Sequence, residues 1–132
     1  MGFDQYHEPP SELPEETRTF ARLCASLTEE AEAIGWYEQR LAVERDPEAR
    51  AVMADAVGEE YKHFCMDFEF LIRRKPKWRD IAQGVLFQEG DIVEHGEAAE
   101  AAAGDSVSAD EAHSGPRVVD GSLGIGSLRE GR

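Results

Sequence analysis

The chain has 132 residues, 41% hydrophobic, 8% aromatic and 32% charged, with a formal net charge of −14. That length allows a single domain with a modest helical core. The acidic balance excludes a nucleic-acid backbone or an anionic membrane as partner, since both require surfaces rich in Lys and Arg. No run is long and apolar enough to span a bilayer. The opening "MGFDQYHEPP" has neither the basic start nor the apolar run of a signal peptide. Cys24 and Cys65 fit neither a disulfide framework nor a zinc spacing, and read as small buried hydrophobes or reduced thiols. A soluble cytoplasmic protein is expected.

The first predicted helix runs from about Pro14 to Glu44, with Phe20, Leu23, Leu27, Ala31, Ile34 and Leu41 near a 3.6-residue period. Asp46-Pro47-Glu48 then stops one helix and starts the next, with Asp as N-cap, Pro in the first turn and an acid at the positive end of the dipole. The second helix is predicted from Pro47 to Arg74, where Arg73, Arg74, Lys75 and Pro76 supply a stop. A third, shorter segment carries Trp78, Ile81, Ala82, Val85 and Leu86 on one face, and a last short helix is predicted from Asp91 to Ala103. Residues 104–132 hold half of the twelve glycines and no aromatic. They are read as a flexible linker, 104–119, and a terminal peptide, 120–132, in which Leu123, Ile125 and Leu128 return as spaced anchors suited to a partner's groove.

The second helix raises a chemical question. At about 100° per residue, Glu60 falls roughly 20° from Met53, within the stripe formed by Met53, Val57, Phe64 and Leu71, and His63, roughly 80° away, lies beside it. On the first helix Leu27, Glu30, Ile34 and Tyr37 step by three, four and three, so Glu30 faces inward as well. An ionised carboxylate is costly to bury unless something positive meets it. Lys62 lies on the far side of the wheel, so a buried salt bridge does not answer the need. A lone Glu or His at a helix interface is ordinarily a satisfied core residue. Glu-x-x-His on one helix with Glu on another is half the ligand set of a di-iron or di-manganese carboxylate bundle. Carboxylate oxygens with one imidazole suit iron or manganese better than zinc.

One chain supplies Glu60, His63 and Glu30 on two long helices, where the bundle site requires twice that. Two chains about a two-fold axis would complete it. The expected fold is therefore all-α: a half-bundle of two long antiparallel helices plus a short C-terminal helix (residues 1–103), completed to four helices by dimerisation. Glu59 reads as solvated. Glu29 and Glu32 are candidates to line an approach path that concentrates iron(II), and Trp36 and Tyr37 flank the site one to two turns beyond Glu30. His7, His95 and His113 have no companion at ligand spacing and read as surface residues.

The ordered set "EEAEAIGWYEQR", Asp46-Pro47-Glu48, "EEYKHF", "FLIRRKPKW" and "LFQEGDI" resembles the encapsulated ferritins of bacteria and archaea, over roughly Arg18 to Glu100. The tail "GSLGIGSLR" resembles the targeting peptide by which cargo is captured inside encapsulin shells. The resemblance implies a ferroxidase with two irons per dimer, a homodimer assembling into an open ring, commonly a decamer, and an encapsulin shell as partner and location. It matches Glu30, Glu60 and His63 to the iron ligands, Glu29 and Glu32 to iron-attracting acids, and Trp36 and Tyr37 to flanking aromatics. Manganese, zinc or calcium are the expected substitutes for iron. Two other readings compete: a non-catalytic divalent-metal-binding cargo protein using the same site, and a purely structural helical adaptor.

Overall fold

The structure is a computed structural model and describes residues 5–112. After a 3-10 turn at Pro10–Glu12, four helices follow: α1 (Glu15–Val43), α2 (Pro47–Arg73), α3 (Pro76–Val85) and α4 (Ile92–Ala112). No strand occurs among the described residues. The reversal between α1 and α2 takes three residues, and side chains satisfy its backbone. Asp46 caps α2 by accepting from the Ala49 N–H at 2.9 Å, with Pro47 at the first helical position. Glu44 accepts from the N–H groups of Arg45 (2.8 Å) and Asp46 (2.9 Å), which hold its carboxyl below the usual value. Arg50 donates back to the carbonyls of Leu41 and Glu44 and so closes the open end of α1.

This turn sends α2 back along α1, and the two pack as an antiparallel pair over their length. Tyr61 on α2 donates to Glu38 on α1 at 3.1 Å. A smaller pair, α3 and α4, packs together and joins α2 through α3. That junction is aromatic: Phe68 meets Trp78 of α3 edge to face at 5.5 Å and stacks on Phe64 of its own helix at 6.4 Å. Between α3 and α4, Gly84 allows a close approach, since a Cβ there would lie 2.5 Å from the Cβ of Ala99. The connecting loop takes positive φ at Gly90 (104°) and at Phe87 (60°), and Asp91 then caps α4 through the N–H groups of Val93 and Glu94.

Four expectations need correction. The last helix, predicted to end at Ala103, continues to Ala112 through the residues assigned to the start of the linker. A single Gly104 costs a helix only about 1 kcal/mol, and no proline intervenes before Pro116. Leu86 was placed on the packed face of α3, yet it lies just past the helix end and is exposed. Of the two readings of the cysteines, exposed Cys65 fits the free thiol and not the buried hydrophobe; Cys24 is half-buried, and burial pushes its thiol up. His95 is half-buried rather than a surface residue, its Nε2 lying 2.8 Å from the Glu89 carbonyl and so bracing the loop into α4.

Among the described residues the buried ones are few: Ala25, Val57, Leu71, Ile72, Ala82 and Ala103. Larger apolar groups such as Trp36 and Met66 stand more than half exposed. A single chain thus covers only part of the apolar surface its helices carry.

Candidate metal centre

The antiparallel turn sets the middle of α1 against the middle of α2, which brings Glu30 opposite Glu60. His63 follows Glu60 by one helical turn on the same face. One ligand atom from each of Glu30, Glu60 and His63 lies within 4.8 Å of the other two, and no other such group occurs among the described residues. His63 Nδ1 is 3.5 Å from Glu60 Oε2. Glu60 is 22% exposed at its side chain and His63 45%, so the cluster is only part-covered by its own chain.

The two carboxyls share a hydrogen bond. It raises the Glu30 carboxyl to about 7, helped by burial and by the negative charges of Glu60 and, more weakly, Asp67, while His63 opposes. The same bond, with that from His63, holds Glu60 below the ordinary value. Two acids this close coexist by retaining a proton. A divalent cation takes the place of that proton with more charge and more ligands, so the donor set fits a metal of hard character, iron or manganese. Three ligand atoms from one chain fall short of a full coordination shell.

Of the other sequence candidates, Glu29 and Glu32 are exposed, and Glu32 borders a shallow hollow with Leu27, Thr28, Ala31 and Phe64. Trp36 is 53% exposed, about one and two-thirds turns from Glu30. Tyr37 is half-buried and carries the Arg40 guanidinium over its ring at 5.2 Å. Glu59 is exposed and paired with Lys62, which lowers its carboxyl, in keeping with a solvated surface pair. Leu123, Ile125 and Leu128 lie outside the described residues. Asp67 was not picked out from the sequence, although it follows His63 by four residues and Glu60 by seven on the same face, and that spacing was available as a signal.

Residues 5–89 match the EncFtn-like family. The chain belongs to it. An encapsulated ferritin-like protein of Rhodospirillum rubrum is 42% identical over 125 residues, covering 93% of this chain and 86% of the relative. A ferritin-like protein of Thermotoga maritima is 41% identical over 91 residues, 69% of this chain and 80% of the relative. A crystal structure of a Nitrosomonas europaea protein superposes with a TM-score of 0.65 at 37% identity, covering 67% of this chain and 98% of the other. The all-helical fold is accordingly ferritin-like, and no helix among the described residues is long and apolar enough to cross a membrane.

Proposed function

We propose that this EncFtn-like chain is a ferroxidase that oxidises iron(II) with dioxygen at a di-iron centre formed between two copies. The observation that carries this reading is the meeting of Glu30, Glu60 and His63 around one point that this chain only part-covers. Iron(II), the substrate, supplies the electrons and dioxygen accepts them. The chain's own groups do the rest. Glu60, flanked by Glu30 and His63, is suited to be the carboxylate shared between two irons, with Glu30 and His63 completing each. Anionic oxygen ligands favour iron(III) over iron(II), which makes oxidation downhill.

A second chain supplies the ligands that one chain lacks and covers exposed apolar surface such as Trp36. Such pairs assemble into a ring, commonly of ten chains. Glu29 and Glu32 attract iron(II) toward the centre, since both are exposed acids next to it. The relative named as encapsulated supports a place inside an encapsulin shell in the cytoplasm, reached through the terminal peptide 120–132. The oxidised iron is then stored within the shell.

The test is anaerobic iron(II) titration followed by air, with mass in solution and absorbance recorded for wild type and Glu60→Ala. Saturation near one iron per chain, a metal-linked increase in assembly size and rapid oxidation lost in Glu60→Ala are expected. Unchanged oxidation by folded Glu60→Ala would overturn the assignment. Binding without accelerated oxidation would instead favour the non-catalytic metal-binding cargo protein.

A further inference from the structure

One group beside the centre has no use in the chain as it stands. Asp67 lies one turn beyond His63 on α2, and at about 100° per residue it falls between Glu60 and His63 on the helix face. Its Oδ2 is closed off from solvent and has no hydrogen-bond partner among the described residues. Enclosing an unpaired carboxylate oxygen works against folding, so Asp67 is a liability unless a donor arrives in another state of the protein. It stands outside the set of ligand atoms that Glu30, Glu60 and His63 bring together. That separates it from the ligands and places it next to one of them.

Helical side chains lean toward the helix N-terminus, so the Asp67 carboxylate leans over the turn that carries His63. The His63 ring turns Nδ1 toward Glu60. A metal held among these groups would be met by Nδ1, which would leave the proton on Nε2. Metal-bound imidazoles almost always donate their second N–H to a carboxylate, carbonyl or water, and this fixes tautomer and ring orientation. We infer that Asp67 is a positioning residue of the metal centre, accepting the Nε2–H of His63 once Nδ1 is committed to the metal. The inference deepens the metal-centre reading and rests on it.

The experiment uses the full chain with zinc(II) as a diamagnetic probe. It compares wild type, Asp67→Ala and Asp67→Asn by zinc affinity, by melting temperature without metal, and by nitrogen–proton NMR of the His63 ring. Asp67→Ala is expected to bind zinc about 10–100-fold more weakly, with a metal-free melting temperature equal to or above the wild type's. Asp67→Asn keeps an acceptor oxygen and recovers part of the affinity. In the zinc-loaded wild type the His63 Nε2–H is slow to exchange with water, and in Asp67→Ala it exchanges fast. Wild-type affinity in Asp67→Ala overturns the inference. So does a loss of affinity matched by a lowered metal-free melting temperature, which marks a structural role. A wild type that binds no zinc removes the metal centre itself, an outcome distinct from a wild type and Asp67→Ala that bind alike.

Discussion

The Glu30 carboxyl and the Glu60 carboxylate are joined by a hydrogen bond across the seam between α1 and α2, the first raised to about 7 and the second held below its usual value by that bond. The pair keeps a proton that must leave when a cation enters. Zinc(II) or iron(II) affinity is therefore expected to rise with pH up to about 7 and to level off above it, with about one proton released per metal bound below that point. Calorimetric titration in buffers of different ionisation enthalpy measures the proton. The metal-free chain should show the opposite sign. A raised Glu30 stabilises the fold fully below its ordinary value of 4.5, and that contribution is lost as pH rises through about 7. The depressed Glu60 contributes above its ordinary value and loses that contribution only in more acidic solution. Denaturant melts without metal should thus show stability falling between about pH 5 and pH 8. A flat profile would mean that the two acids do not share a proton.

Gly84 and Ala99 set the distance between α3 and α4. In Gly84→Ala the new methyl would stand 2.5 Å from the Ala99 Cβ, so the helices must separate. Helix propensity alone favours Ala by about 1 kcal/mol, whereas overpacking costs about 1–3 kcal/mol. The steric effect wins, and a net loss of stability is expected in denaturant melts. Adding Ala99→Gly removes the opposing methyl and should return part of the loss. If the double variant is no better than Gly84→Ala, the close approach is not the cause.

The long helices and the meeting of Glu30, Glu60 and His63 between them were legible because their signals are local and periodic. Asp46-Pro47-Glu48 marks the reversal, and once α2 runs back along α1 the inward positions of Glu30, Glu60 and His63 must meet. What escaped notice depends on contacts that the period does not encode. Phe87 takes a positive φ without being glycine. His95 braces the Glu89 carbonyl from across a loop. The continuation of α4 past Ala103 runs against Gly104, which reads as a stop in sequence yet is tolerated in an otherwise alanine-rich helix. Asp67 carries the same spacing signal as its neighbours, but a carboxylate one turn past a histidine is common on helices, and only its enclosed, unpartnered oxygen distinguishes it.

We propose that the terminal peptide, residues 120–132, works separately from the Glu30, Glu60 and His63 cluster. Removing residues 121–132 should leave metal binding and iron oxidation unchanged and abolish capture by an encapsulin shell. Replacing Leu123, Ile125 and Leu128 together by Ser keeps length and charge but deletes the apolar anchors. Co-expression with a shell protein, followed by measurement of cargo in purified shells, reads both variants. Loss of cargo in both assigns capture to those three side chains. Loss in the truncation alone assigns it to the peptide's backbone or charge, and continued loading of the truncated chain places the docking element elsewhere.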